Sequence, residues 1–259
     1  MPLRLYKSID ILLLINILSH QQISTSTQMS FSIARYFNDF LDLFYPENCE
    51  ACTEPLVGNE KVVCTKCQLN LPRTNSHRIE MPSLAHKFAG KVRVKNVFSF
   101  LKFEKQGKVQ RLLHGLKYGN KPEIGYTLGK LYGQELLEIG VVYDLIIPIP
   151  LHSRKLSPRG YNQSDKIAEG LAEGLKTDWS AEVLMRQKFT ESQTGKGRVE
   201  RFENVSGIFK ILDVTKIQNK HIAVVDDIIT TGSTIESAVA ELLQNGAKEV
   251  SILTIATTF

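Results

Sequence analysis

Two stretches of the 259-residue sequence carry side chains whose types and spacing suit the chemistry of a phosphorylated sugar. In His221–Thr234 (HIAVVDDIITTGST), Asp226 and Asp227 stand side by side, followed by two apolar residues and then Thr230, Thr231, Gly232, Ser233 and Thr234. The unpaired N–H groups at a helix start attract an anion, the hydroxyls donate to phosphate oxygens, and Gly232 lets the backbone approach closely. Adjacent carboxylates repel one another and call for a cation or a donor-rich ligand. The 2′- and 3′-hydroxyls of a ribose are such donors, each charge-assisted bond contributing about 1.5–3 kcal/mol. A plain helix N-cap by Thr or Ser after an acidic turn is the competing reading; it accounts for one hydroxyl and leaves the acid pair unexplained.

The second stretch, Leu151–Ser164 (LHSRKLSPRGYNQS), gathers Arg154, Lys155 and Arg159, with Gly160 as a hinge point and Asn162 and Gln163 as neutral donors. Such a loop can neutralise a diphosphate and release it as a leaving group; an ordinary basic surface loop is the alternative. A third stretch, Arg186–Asn204, is polar and glycine-containing, and reads either as a lid that excludes water or as an exposed linker. Separately, all four cysteines fall in one C-x2-C-x11-C-x2-C pattern, Cys49, Cys52, Cys64 and Cys67. Two such knuckles supply the four sulfurs of a tetrahedral zinc site, and with no position spare the zinc would be structural. Two disulfides or a redox pair are the other readings of this spacing.

Elements must hold these residues in place. Ile222–Val225 is a short β-branched run that reads as a buried strand. Ile235, Ala238, Val239, Leu242 and Leu243 then follow a helical spacing, Asn245-Gly246 ends the helix, and Val250–Ala256 reads as another strand. Asp144–Pro150 is a further apolar strand, and the loop after it leads into a helix marked by Ile167, Ala168, Leu171 and Leu175. Both loops follow strands and open helices, so in a doubly wound α/β sheet they face one crevice. Val109, Leu112, Leu113 and Leu116 mark another helix that ends near Lys117, whose ammonium faces either a phosphate or solvent.

The chain has 32 Lys and Arg against 27 Asp and Glu, 42% hydrophobic and 23% charged residues, with 17 Gly and 9 Pro. That balance excludes collagen-like, mostly disordered and multi-span membrane proteins. The charge is uneven: Ala85–Lys121 holds ten basic residues and one acid, Glu104, either a polyanion-attracting stripe or a solvated lysine-rich face. Ile9–Leu18 is too short to span a bilayer, so no stable membrane insertion is expected. Met29 reads as the true start. Residues 1–28 are then an over-long or disordered extension, 29–80 an amphipathic helix plus a four-cysteine zinc ribbon, and 81–259 the α/β domain.

The segment VVDDIITTGST resembles the ribose-phosphate motif of type I phosphoribosyltransferases. With LHSRKLSPRGYNQS and the preceding cysteine pattern, the chain from Phe31 onward is similar to the ComF family of competence-associated phosphoribosyltransferase-like proteins. The resemblance implies a type I phosphoribosyltransferase-like, twisted, mostly parallel sheet flanked by helices, with a small N-terminal zinc ribbon. It implies that Asp226 and Asp227 contact ribose hydroxyls and that Thr230–Thr234 cradle a 5-phosphate. The implied ligand is phosphoribosyl pyrophosphate with Mg²⁺, and Gln193, Thr194, Arg201 and Asn204 match the family's flexible loop, whereas Glu191 and Ser192 depart from it. Two roles follow: transfer of the phosphoribosyl group to an acceptor that the sequence does not name, or a non-catalytic part in DNA uptake with single-stranded DNA or a helicase-like partner. A cytoplasmic location is implied in both.

Overall fold

The computed structural model describes residues 46–152, 156, 159–187 and 208–258. The extension and the helix expected from Met29, Arg154 and Lys155, and nearly all of the Arg186–Asn204 stretch lie outside the described residues. Asn48–Phe259 forms one compact unit. Among the described residues no helix is long and apolar enough to cross a membrane.

The frame is a four-stranded parallel sheet of β1 (Val97–Lys102), β2 (Leu145–Pro148), β5 (His221–Ile229) and β6 (Glu249–Thr257), in the order β1-β6-β5-β2. Strands of a parallel sheet are buried on both faces and so read as continuous apolar runs; every residue of β6 after Glu249 is buried. β5 runs further than the sequence predicts and carries both acids inside the strand. β2 stops at Pro148, opposite Val225, and the bond from Ile149 N–H to the Val225 carbonyl at 2.8 Å is the last between the two chain segments. From Asp226 onward, that flank of β5 faces the space beyond the end of β2.

Helices α3 (Lys108–Tyr118), α4 (Pro122–Glu138) and α5 (Gln163–Leu175) build the core against one face of the sheet, where Ala223 and Val225 point. Helix α6 (Ser233–Gln244), the short helix α2 (Pro82–His86) and the antiparallel pair β3 (Leu184–Arg186) and β4 (Phe209–Ile211) pack where Ile222 and Val224 point. Helices α4 and α5 meet through glycines. A Cβ on Gly129 would lie 2.3 Å from the Ile167 carbonyl oxygen, and one on Gly170 would lie 2.0 Å from that of Tyr126. Backbones that close leave no room for side chains between them.

The cysteine segment, with its helix α1 (Thr65–Leu69), shares this first core. Cys49, Cys64 and Cys67 are buried in the same cluster as Phe100, Leu112 and Tyr132. Arg111 donates to the Ala51 carbonyl at 2.7 Å. Arg73 pairs with Glu135 at 2.6 Å while its guanidinium lies 5.3 Å from the centre of the Phe100 ring.

Candidate functional site

Neighbouring residues on a strand point to opposite faces. That alternation holds through Val225 and then breaks: Ile228 packs against the cluster of Ala223 and Val225, and Ile229 belongs to the other. The acids sit at the break, and both are met from the α3–α5 layer. Ser164, in the first turn of α5, donates to Asp226 Oδ1 at 3.0 Å, and Lys117, in the last turn of α3, pairs with Asp227 Oδ2 at 2.9 Å. Asp226 Oδ1 also accepts from the Asp227 N–H at 2.9 Å. The cation that adjacent carboxylates require is therefore supplied in part by the chain itself.

Burial, reinforced by the Asp227 charge, pushes the Asp226 carboxyl up to about 7 from its ordinary 3.8. A carboxyl raised on folding binds its proton more tightly in the folded state. Its contribution to stability is full below about pH 4 and is lost as the pH rises through about 7. Asp226→Asn removes that loss. The variant is expected to be more stable than the parent by up to about 4 kcal/mol at pH 8, an advantage that shrinks as the pH is lowered toward 4. Urea unfolding at both pH values measures it; an equal difference at the two would refute the assignment.

Gly232 precedes α6 in a left-handed conformation (φ 81°), and no side chain caps the helix. The simple Thr or Ser N-cap is thus not what the loop forms, and the helix start is left without a side-chain acceptor. A Cβ on Gly232 would lie 2.9 Å from Phe88, which underlies the loop. Lys87 donates to the carbonyls of Thr230 at 3.0 Å and Thr258 at 2.8 Å, placing a positive charge behind the hydroxyls, and Thr231 and Ser233 oxygens lie 3.3 Å apart. Lys91 adds a 3.5 Å ion pair to Glu236 in the first turn of α6. Lys87, Lys91, Lys95, Arg111, Lys117 and Lys121 of the basic segment all engage partners within the chain. The segment is, to that extent, internal scaffolding.

On the opposite wall, Asn162 caps α5 by accepting from the Ser164 N–H. Its own amide donates to the Ile149 carbonyl at 3.0 Å and to Asp165 at 2.5 Å, so its donors serve the loop and not a ligand. Gln163 differs: its Oε1 accepts from Arg159 at 2.8 Å, but its buried Nε2 has no hydrogen-bond partner among the described residues. Gly160 has φ 76°, and the Arg159 guanidinium lies 5.1 Å from the Tyr118 ring centre, beside Lys117 on α3. Tyr161 donates to the Leu116 carbonyl. The structure thus brings Asp226, Asp227 and Ser164 together and adds the end of α3 to the wall that bears Arg159 and Gln163. It further adds Arg186 at the end of β3, whose charge burial opposes and Asp226 supports. Ser164, Lys87 and Arg186 were not evident as site residues in the sequence.

The four cysteine sulfurs lie within 4.8 Å of one another, with no disulfide between them. Cys52 and Cys64 sulfurs are 3.8 Å apart, and a tetrahedron with zinc–sulfur bonds of about 2.3 Å has edges of about 3.8 Å. Backbone N–H groups of Cys64 and Cys67 point at the sulfurs of Cys49 and Cys64, at 3.3 and 3.4 Å. Such donors favour the thiolate forms that a metal needs, and the donor set fits a structural zinc ion.

Residues 165–258 match the phosphoribosyl transferase domain model. DNA utilization protein YhgH of Escherichia coli O157:H7 is 30% identical over 209 residues, 79% of this chain and 87% of that protein. Competence protein F of Haemophilus influenzae is 29% identical over 147 residues, 54% of this chain and 64% of that one. A solved structure of the allosteric regulatory enzyme of purine biosynthesis is 19% identical with a TM-score of 0.40, over 54% of this chain and 29% of that chain. The phosphoribosyl transferase match, the four-cysteine centre and a relative 30% identical over 87% of its length establish that the chain belongs to the ComF family of phosphoribosyltransferase-like proteins.

Proposed function

We propose that the crevice binds phosphoribosyl pyrophosphate, or a related ribose 5-phosphate ligand, together with Mg²⁺. What supports this reading is two features on segments that meet where Ser164 donates to Asp226. One is an uncapped helix start led by Gly232, beside two carboxylates. The other is a buried amide donor on Gln163, next to Arg159, with no acceptor among the described residues. In this reading the N–H groups and hydroxyls of Thr230–Thr234 hold the 5-phosphate, and Asp226 and Asp227 accept from the ribose hydroxyls. Gln163 and Arg159, with Arg154 and Lys155 of the same loop, neutralise the diphosphate. Mg²⁺ supplies charge neutralisation on the diphosphate, held chiefly by ligand oxygens and water. The chain positions and shields; no nucleophile of its own is needed for a transfer to an acceptor. The cysteine centre holds zinc as a structural ion, and the protein works in the cytoplasm.

The names of the relatives favour a second reading, a non-catalytic accessory in DNA uptake that binds single-stranded DNA or a helicase-like partner. Isothermal titration separates the two. Phosphoribosyl pyrophosphate with Mg²⁺ is expected to bind the parent, and Asp226→Asn/Asp227→Asn to weaken it about 100-fold or more, the worth of two charge-assisted bonds. Salt-sensitive binding of single-stranded DNA with no binding of the sugar phosphate would overturn the ligand reading. Pyrophosphate release, assayed across candidate acceptors, tests turnover.

A further inference from the structure

The ion pair between Lys117 and Asp227 has a consequence for ligand exchange. Lys117 occupies the donor position that a sugar hydroxyl would take on Asp227: its ammonium is 2.9 Å from Oδ2, and both side chains are largely withdrawn from solvent. Asp226 has a different partner, the Ser164 hydroxyl at 3.0 Å, so the two acids are not interchangeable. Lys117 also adjoins the other wall through its neighbours. Tyr118 lies against the Arg159 guanidinium, Arg159 is bound to Gln163, and Leu116 accepts from Tyr161 at the start of the same segment. A lysine is a point charge on a flexible four-carbon stem, able to turn from one acceptor to another without moving its helix.

We propose that Lys117 is a stand-in for the ligand: it holds the diol position on Asp227 while the crevice is empty and turns to the diphosphate when the sugar arrives. The inference rests on the ligand reading above. It makes Lys117 a residue that selects for a diphosphate-bearing sugar. A ligand without the diphosphate must displace the ammonium and offers it nothing in return, whereas one with the diphosphate gives it a new acceptor. A lysine that serves only as a strut would affect both ligands alike.

The test titrates ribose 5-phosphate and phosphoribosyl pyrophosphate, each with Mg²⁺, into the full chain and into Lys117→Met and Lys117→Arg. Expected for Lys117→Met is a 10-fold or greater loss of affinity for phosphoribosyl pyrophosphate, with ribose 5-phosphate affinity unchanged or improved up to about 10-fold. Lys117→Arg is expected to keep the parent's ratio of the two affinities within about 3-fold. A parallel loss for both ligands in Lys117→Met, or an unchanged ratio, overturns the stand-in role while leaving the ligand reading in place. Binding of neither ligand to the parent overturns the ligand reading itself. Should Lys117→Met fail to fold, as judged by its thermal transition, Lys117→Gln is titrated in its place with the same expectations.

Discussion

Removal of zinc by a chelator is expected to unfold the whole unit from Asn48 onward in one transition, and not the cysteine segment alone. Cys49, Cys64 and Cys67 are buried in the same cluster as Phe100 of β1, Leu112 of α3 and Tyr132 of α4. Without the ion, four sulfurs crowded within 4.8 Å must either take up protons or remain charged in a poorly solvated core. Structural zinc contributes an apparent 10–16 kcal/mol, roughly, in small modules, comparable with the whole stability of a domain at about 5–15 kcal/mol. Trp179, the only tryptophan, is a suitable reporter because it bridges Ile146 on β2, the sheet edge opposite β1. Its fluorescence is expected to shift together with the far-ultraviolet circular dichroism on chelation, and Cys67→Ser to reproduce the change. An unshifted Trp179 in zinc-stripped protein would mean that the ribbon melts separately.

Gly170→Val is expected to be the most damaging single substitution away from the crevice. Its Cβ would meet the Tyr126 carbonyl oxygen at 2.0 Å and the Lys130 nitrogen at 2.8 Å. Both are backbone atoms of α4, so no rotamer change relieves the clash and the helices must separate. Overpacking costs about 1–3 kcal/mol where side chains can yield, and more where they cannot; here a loss of about 4 kcal/mol or more is expected. Because α5 carries Ser164 and Gln163 at its start, displacement of the helix also moves the partner of Asp226. Urea midpoints of Gly170→Val and of Glu169→Ala, a half-exposed neighbour expected to fall within about 0.5 kcal/mol of the parent, provide the comparison. A Gly170→Val midpoint that matches the control would show that the helix pair can relax freely.

What the sequence disclosed of the site was local. The acid pair, the hydroxyl-rich bend and the helix after it lie within a few residues of one another, and a strand–loop–helix unit leaves its periodicity in the chain. The cysteine pattern is equally local. The partners were not legible, because they arrive from far away along the chain. Lys117 reaches Asp227 across 110 positions, Ser164 reaches Asp226 across 62 and Lys87 reaches Thr230 across 143. The need for a cation beside adjacent acids followed from electrostatics, but not which residue would meet it. The basic segment shows the same limit, since counting charges does not reveal that Lys91, Lys95 and Lys121 face acids elsewhere. The sequence predicts a strand that stops short of the acids for a related reason: carboxylates are rare inside a central strand, and only the end of β2 beside them makes room.

Contact through glycine between α4 and α5 also bears on how the protein can move. Two helices that touch backbone to backbone have no cushion of rotamers between them, so the N-terminal end of α5 behaves as a fixed jaw with almost no compliance. Among the described residues, adjustment that admits and discharges a molecule then falls to the bend around Gly232 and to single long side chains. Between α4 and α5 themselves, that leaves fast, small-amplitude steps and no swing of one helix against the other.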